Sequence, residues 1–331
     1  MSADAARQIV GDAVRRGVLP SATAEVGTSA GVDWSGAWAT PADTLFDLAS
    51  LTKVIATTTA VMAAVNDGTL ALDRRVAECF PEWRGAARDA VTIRDLLEHA
   101  SGLSARLVDA PPGGRREFEH EICTMPLEYE PRSKSIYSDL GFLLLGFLVS
   151  DTLTRTVPVS DTELQFLPPP ALRARCAPTQ PLPDDSRRGR TLVGEVHDNY
   201  AAALGGVAGH AGLFGTAAAV GVFARTVLRA ARGDRRQPVP FTPDLVAQFT
   251  TKSTVPGSSR ALGWDTMLPT SSCGTRMSPR AFGHVGFTGT SLWIDPALDR
   301  YFVLLTNRVN GGGTVDEMRD VRRAFHDADR D

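Results

Sequence analysis

The two ends of the chain place hydrophobic and polar positions in a helical pattern. The spacing predicts a helix over residues 4–17 that ends near Gly17, and a helix over residues 319–329 that closes the chain. Between them lie runs of strand type at residues 22–27, 32–39, 281–285, 290–294 and 301–306. Strands near both termini, with helices between them, predict one sheet built from both ends of the chain.

A helix that begins at Ser50 is apolar on nearly every side. Small and branched apolar residues fill most positions of 54–65, so we expect this helix to be buried. Gly68 follows as a left-handed cap. Another helix is predicted over residues 216–232, after a glycine-rich apolar stretch.

Two further helices have clear boundary signals. Thr92 and Asp95 form a capping-box pattern that opens a short helix. Residues 140–149 form an apolar helix in which Gly141 and Gly146 permit close packing.

Two segments contain turn and breaker residues instead. Residues 105–135 are polar and rich in proline and glycine, which predicts a surface loop. Residues 155–190 hold seven prolines that deny them a long helix: Pro158, Pro168, Pro169, Pro170, Pro178, Pro181 and Pro183. No internal repeat or low-complexity tract is evident.

Length and charge limit the class of protein. The 331 residues suit one domain, which we divide into a sheet part (1–49 with 205–331) and a mostly helical part (50–204). The net charge of −3 provides no general field for nucleic acid or an anionic membrane, and no apolar run is long enough to span a bilayer. The start of the chain lacks a secretory pattern, and its four cysteines form no CxxC pair. We therefore expect a cytoplasmic protein with reduced thiols. The oligomeric state is left open.

Lysine is rare in this chain. Only Lys53, Lys134 and Lys252 occur among 35 basic residues. Lys53 follows Ser50 by three positions, which places both on one face of a helix. Because burial and the positive helix end disfavour an ammonium, we expect a depressed pKa for Lys53, as in a proton acceptor beside a nucleophile.

A serine nucleophile needs a base, a proton donor for the leaving group and donors for the oxyanion. Among the four tyrosines, Tyr137 lies just before the apolar helix at 140–149, where its hydroxyl could reach a neighbouring site. An isolated tyrosine at such a position is more often half-buried with a hydrated tip.

Three segments resemble the motifs of one enzyme family. Residues 46–53 look like the first motif of serine β-lactamases and penicillin-binding proteins, with Ser50 and Lys53 in their places. Residues 137–139 resemble the second motif of class C enzymes and related family VIII carboxylesterases. Residues 283–289 resemble the third. The resemblance covers most of residues 15–310 and implies an α+β fold, with a central antiparallel sheet flanked by helices.

The resemblance also implies roles. Ser50 would attack an acyl carbonyl, and Lys53 and Tyr137 would share its proton, with the principal base left open. The backbone N–H groups of Ser50 and Phe287 would form the oxyanion hole. Gly286 would let the substrate lie close to its strand, and no metal or cofactor is expected.

The chain departs from the family pattern at three places. Asp139 stands where an amide is common, and its carboxylate would hold Lys53 protonated or fix its position. His284 and Val285 replace a lysine and a threonine that help to receive a substrate carboxylate, so this anion receptor is weakened. The proline-rich 155–190 segment is shorter than the expected helical region.

The remaining histidines are open to a second interpretation. His197 and His210 flank the glycine-rich stretch, where a metal site is conceivable, but the spacing favours structural hydrogen bonds. His99 is expected to be structural too.

The sequence therefore predicts a serine hydrolase that forms an acyl-enzyme, most simply a carboxylesterase acting on small or medium acyl esters. A β-lactamase or D-amino-acid peptidase is the alternative within enzymes, and both would act on a small ester or amide. A non-catalytic scaffold that retains the fold is the alternative outside enzymes.

Overall fold

The computed structural model describes residues 3–107, 111–154 and 163–328. Its main sheet is antiparallel and has the order β2-β1-β9-β8-β7-β6. These strands are β1 (Ala22–Gly27), β2 (Val32–Trp38), β6 (Asp265–Thr266), β7 (Phe282–Val285), β8 (Ser291–Asp295) and β9 (Arg300–Thr306). Since β1 pairs with β9, with Ala22 opposite Thr306, the sheet joins both ends of the chain as predicted.

A smaller sheet has the order β3-β5-β4. Its strands are β3 (Phe46–Asp47), β4 (Leu164–Phe166) and β5 (Leu213–Gly215). Strand β3 leads directly into the segment that carries Ser50. Strand β4 lies in the proline-rich segment, which forms no long helix in the part that the structure describes. Pro158 lies outside the described residues.

Helices pack against both faces of the main sheet. They are α1 (Ala3–Arg15), α2 (Thr59–Asn66), α3 (Val76–Cys79), α4 (Ile93–Leu97), α5 (Arg115–Thr124), α6 (Asp139–Leu148), α7 (Ser150–Leu153), α8 (Pro170–Arg173), α9 (Asn199–Ala203), α10 (Ala217–Ala231), α11 (Pro243–Thr250) and α12 (Val315–Ala328). A π-helical segment (Lys53–Thr58) leads into α2, and Gly68 has a positive φ of 77° at its end.

Strand β9 is buried on both faces, because successive side chains of a strand point to opposite sides. Tyr301 and Val303 belong to the large core cluster that includes α10. Phe302 and Leu304 belong to a second cluster with α1 and α12. The sheet is therefore enclosed between α10 on one face and the two terminal helices on the other.

Most of the predicted elements are confirmed, and so is the α+β fold class. The capping box of α4 is present: the Asp95 N–H donates to Thr92 Oγ1 at 3.4 Å, and the Thr92 N–H donates to Asp95 Oδ2 at 2.8 Å. The cysteines of the described residues are free thiols. None of the described helices combines the length and apolar character that a membrane crossing requires.

Two predictions of local structure were wrong. Residues 105–135 are not a continuous loop, because α5 lies within them and buries Phe118, Ile122 and Cys123 on one face. The last helix begins at Val315, before the predicted start. Thr314 and Glu317 cap it reciprocally, since the Glu317 N–H donates to Thr314 Oγ1 at 3.2 Å and the Thr314 N–H donates to Glu317 Oε2 at 2.8 Å. The division into sheet and helical parts stays a prediction.

Candidate active site

Ser50 lies in a turn between β3 and the π-helical segment. The preceding residue, Ala49, has a positive φ of 47°, which an alanine adopts only at a cost. The buried Asp47 carboxylate holds this turn by accepting from the Ala49 N–H at 2.8 Å and the His197 N–H at 2.6 Å. The turn therefore presents Ser50 at the start of a buried helix.

The side chains of Lys53 and Tyr137 converge on Ser50. Lys53 Nζ lies 3.1 Å from Ser50 Oγ, and Tyr137 Oη donates to the same oxygen at 2.7 Å. Lys53 is fully buried, and its Nζ lies 4.8 Å from the centroid of the Tyr137 ring. The hydroxymethyl, amine and phenol groups that the sequence analysis selected are thus in mutual contact.

The direction predicted for the Lys53 pKa was wrong. Burial acts to lower the pKa of Lys53, but the Asp139 carboxylate and the Tyr137 hydroxyl outweigh it, and the pKa is raised. Asp139 Oδ1 accepts from Lys53 Nζ at 2.7 Å. The sequence pattern indicates the burial of Lys53 but not the carboxylate that the fold brings beside it. The alternative expectation, that Asp139 keeps Lys53 protonated, agrees with the structure.

Burial also raises the pKa of the Tyr137 phenol, although the nearby Lys53 ammonium acts to lower it. The backbone around this tyrosine is held by His99, whose Nδ1 accepts from the Ser138 N–H at 3.0 Å. His99 also lies under the Tyr137 ring, with centroids 4.8 Å apart. The structural role expected for His99 therefore has a physical basis.

The turn between β7 and β8 is fastened to the strand that precedes Ser50. Thr288 Oγ1 donates to the Asp47 carbonyl at 2.8 Å, and Thr290 Oγ1 donates to the Leu48 carbonyl at 3.0 Å. Within the described part of the chain, neither the Ser50 nor the Phe287 backbone N–H donates a hydrogen bond. Both groups remain available as oxyanion donors.

Gly286 is required by the packing of this turn. A Cβ at this position would lie 2.1 Å from Thr290 Oγ1 and 2.7 Å from the Leu48 carbonyl oxygen. This space is already occupied by the hydrogen bond between Thr290 and Leu48 that holds the turn in place.

His284 lies on the strand that precedes this turn and is buried. Burial holds its pKa well below the ordinary value, so the imidazole is neutral.

Two cavities meet at Ser50, and Tyr137 and Phe287 also line both of them. The first, here called the arginine pocket, has a volume of about 380 Å³. The second, here called the inner pocket, has a volume of about 280 Å³. The arginine pocket is lined further by Arg260, Asp265, His284, Val285, Gly286, Arg308, Val315, Met318 and Arg322. The inner pocket is lined further by Ala49, Ala105, Arg106, Asp139, Leu182, His197, Asp198, His210 and Ala211.

Two arginines of the arginine pocket lack a carboxylate partner among the described residues. Arg322 donates to the Gly286 and Thr290 carbonyls at 2.7 and 2.8 Å, and burial lowers its pKa to about 9. Arg308 donates to the Phe287 carbonyl at 2.8 Å, and burial lowers its pKa too. Sequence reasoning missed both, because arginine is the common basic residue here and only the fold shows which ones are buried.

The two histidines near the inner pocket make contacts of the kind expected for structural residues. His210 Nε2 lies 2.7 Å from Asp198 Oδ1, and the His197 ring stacks on Phe287 with centroids 5.7 Å apart. Asp139, Asp198 and His210 lie close enough to share a cation. Their carboxylates are already bound by Lys53 and Arg106, so this group does not require a metal.

Comparison with known proteins places the chain in a family. The profile of the beta-lactamase family matches residues 6–326. The chain belongs to the beta-lactamase family. Members of this family are serine hydrolases that act on small ester or amide substrates, and this protein is an enzyme of that class.

Relatives within the family differ in their names. An Escherichia coli K12 protein named "Putative D-alanyl-D-alanine carboxypeptidase" is 34% identical over 310 residues, which cover 80% of this chain and 69% of the relative. A class C beta-lactamase from Rhodobacter sphaeroides has a TM-score of 0.75 at 17% identity, covering 98% of each chain. EstCE1, described as a hydrolase with promiscuous acyltransferase activity, has a TM-score of 0.74 at 19% identity, also covering 98% of each chain. The two structural likenesses show the shared fold.

Proposed function

We propose that the protein is a carboxylesterase that hydrolyses small or medium acyl esters through an acyl-enzyme on Ser50. The observation that carries the proposal is the contact of Ser50 Oγ with both Lys53 Nζ and Tyr137 Oη, at 3.1 and 2.7 Å, at the meeting point of two cavities.

The proposed reaction has two halves. Ser50 Oγ attacks the acyl carbon, its proton passes to the Lys53–Tyr137 pair, and the N–H groups of Ser50 and Phe287 stabilise the oxyanion. The tetrahedral intermediate collapses, the bond to the leaving oxygen breaks, and the pair returns the proton to the departing alcohol. Water then attacks the acyl-enzyme by the same route, releasing the acid and restoring Ser50.

The raised pKa values of Lys53 and Tyr137 bear on how this pair acts as a base. Each group holds its proton at neutral pH in the resting site. The pair must therefore release one proton before it accepts that of Ser50, and the two groups titrate as one coupled unit. We expect kcat/KM for an uncharged ester to rise as the pH becomes alkaline.

The neutral His284 and the apolar Val285 support uncharged esters as substrates. This part of the pocket wall holds no lysine or threonine, so it attracts a substrate carboxylate only weakly. The inner pocket, with its alanines and Leu182, offers a small apolar space beside Ser50 that suits an acyl chain.

A second candidate function is supported by the arginine pocket. Arg308 and Arg322 are buried cations without an acidic partner in the described residues, and an anionic substrate would compensate their charge. Hydrolysis of a peptide or β-lactam with a carboxylate near the scissile bond would fit. The name of the Escherichia coli relative suggests the same class.

The test is a panel of an uncharged p-nitrophenyl ester, a D-alanyl-D-alanine peptide and a penicillin. We expect Ser50→Ala to lower kcat for the preferred substrate by at least about a thousandfold, and Ser150→Ala, an exposed control on α7, to leave it unchanged. Full activity in Ser50→Ala would remove Ser50 from the mechanism.

Arg322→Gln separates the two candidates. If carboxylates bind in the arginine pocket, this variant raises KM for the peptide or penicillin by about tenfold more than KM for the uncharged ester. The ester reports the separate effect of losing the hydrogen bonds to the Gly286 and Thr290 carbonyls. A preference for the ester over both anionic substrates supports the carboxylesterase.

A further inference from the structure

A series of side chains with alternating charge begins at Lys53, which contacts Ser50. Lys53 Nζ donates to Asp139 Oδ1 at 2.7 Å, and Asp139 Oδ2 accepts from Arg106 Nη1 at 2.9 Å. The same Arg106 nitrogen donates to Asp198 Oδ2 at 2.9 Å, and Asp198 Oδ1 lies 2.7 Å from His210 Nε2. Asp139 is thus shared between two cations, one of which contacts Ser50.

Arg106 is fixed in position by its surroundings. Its guanidinium lies 3.9 Å from the centroid of the Tyr200 ring, and its Nη2 donates to Asn199 Oδ1 at 2.6 Å. Asp198, its second acidic partner, caps α9 by accepting from the Ala201 N–H at 2.8 Å. A side chain stacked on a ring and held by three acceptors has little freedom to swing away from Asp139.

The donors of Lys53 are all engaged. Its ammonium has three N–H groups, and three acceptors lie within reach: Ser50 Oγ at 3.1 Å, Asp139 Oδ1 at 2.7 Å and the His210 carbonyl at 3.2 Å. This geometry favours the charged form. The negative charge of Asp139 stabilises the ammonium further, whereas the positive charge of Arg106 on the same carboxylate opposes it.

We propose that Arg106 is a positioning residue for the hydrolytic reaction: it holds the Asp139 carboxylate between two cations and so sets the pH at which the Lys53–Tyr137 pair releases its proton. This inference rests on the acyl-enzyme mechanism proposed above. Arg106 acts through Asp139 and touches neither Ser50 nor Tyr137 by hydrogen bond in the described structure.

Other charged and titratable groups face Lys53 from neighbouring elements. His99 and His284 are buried, and their pKa values lie well below the ordinary value, so both stay neutral. The Arg260 guanidinium lies 5.1 Å from the Tyr137 ring centroid. His210 contacts Asp198 at the far end of this series of charged side chains. Asp139 and Arg106 are therefore the pair whose replacement changes the charge next to Lys53 most directly.

The test is the pH dependence of kcat/KM for an uncharged p-nitrophenyl ester in wild type and three variants. Asp139→Asn removes a negative charge, so the rise in activity moves to lower pH by about one unit or more. Arg106→Gln removes a positive charge, so the rise moves to higher pH. Asp198→Asn, which retains the cap of α9, moves it to lower pH by less than Asp139→Asn does.

Controls separate this role from a structural one. Arg106→Lys keeps the charge and retains the wild-type profile. Arg235→Gln, at an exposed arginine that lines neither pocket, leaves the profile unchanged. A residue needed only for folding would lower activity equally at every pH, and its profile would not move. If Arg106→Gln does not fold, Asp198→Asn and Asp139→Asn still test the order of the shifts.

The rate of Ser50 labelling by a fluorophosphonate provides a second measurement, because it reports activation of the serine without turnover. Opposite shifts for Asp139→Asn and Arg106→Gln support the proposal. Coincident profiles for wild type and Arg106→Gln, or shifts in the same direction for both variants, overturn it while Ser50 stays essential. Activity that survives in Ser50→Ala instead removes the acyl-enzyme mechanism itself.

Discussion

The contact between Gly146 and Gly209 gives a prediction that links packing to the site. Helix α6 meets the segment before β5 with no side chain between them. A Cβ added at Gly209 would lie 2.1 Å from the Phe142 carbonyl oxygen and 2.7 Å from the Gly146 Cα. The Gly209 carbonyl accepts from Thr57 Oγ1 at 2.6 Å, and the next carbonyl, that of His210, accepts from Lys53 Nζ at 3.2 Å.

The expected cost of Gly209→Ala follows from these distances. An added Cβ must lie more than about 3 Å from any backbone atom, so the backbone would have to shift by on the order of 1 Å to relieve the contact. Overpacking of this kind costs about 1–3 kcal/mol of stability. Weakening of the two hydrogen bonds adds roughly 1 kcal/mol each. We expect the free energy of unfolding to fall by about 3–5 kcal/mol. A shift of this size at the Lys53 acceptor also lowers kcat on the order of a hundredfold.

Urea unfolding and ester turnover by the folded fraction measure the two effects. The matched control is Gly31→Ala, where an added Cβ meets no atom within 4 Å. We expect the stability of the control to stay within about 0.5 kcal/mol of wild type. The reasoning is refuted if Gly209→Ala unfolds at the same urea concentration as the control and retains full turnover.

Three further predictions concern single residues. Tyr137→Phe removes the hydroxyl that contacts Ser50 and lowers kcat by about a hundredfold or more, measured with the preferred ester; near-normal kcat would exclude Tyr137 from proton transfer. Burial raises the pKa of Asp47 from its ordinary 3.8 to about 6, so the folded state retains a proton that the unfolded chain has released in this window. The contribution of Asp47 to the free energy of unfolding therefore falls by about 3 kcal/mol as the pH rises from about 4 to about 6. Denaturant titrations should show that decline in wild type relative to Asp47→Asn, and parallel curves would contradict it. Thr92→Ala removes the cap of α4 and lowers the melting temperature through a loss of about 1 kcal/mol, whereas Thr92→Ser retains it; equal melting temperatures would argue against the cap.

Much of the fold was predictable because its signals are local. Apolar spacing located α1, α6 and α10, and runs of strand type located β1, β2 and the last three strands. The segments around Ser50, Tyr137 and Gly286 were recognisable because their residue types stand in fixed order along the chain. The start of α12 was also within reach, since Thr314 and Glu317 show the same capping pattern as Thr92 and Asp95.

Some local structure was misjudged because one signal hid another. The glycines and prolines of 105–135 indicated a loop, but α5 lies between them and is stabilised by the core that it covers. The strand β4 is three residues long and depends on its pairing with β5, which no short sequence pattern records.

The sequence by itself identified Ser50, Lys53 and Tyr137 as the candidate reactive residues, because they stand in an ordered set of motifs. Only the tertiary structure decided their charge states and surroundings. The pKa of Lys53 is raised because the fold brings Asp139 against it across 86 positions of the chain. Arg106 and Arg322 differ from the other arginines only in where the fold buries them and in what it places beside them. The free energy of the charged form of a side chain depends on its burial and on its neighbours in space, and the local sequence shows neither.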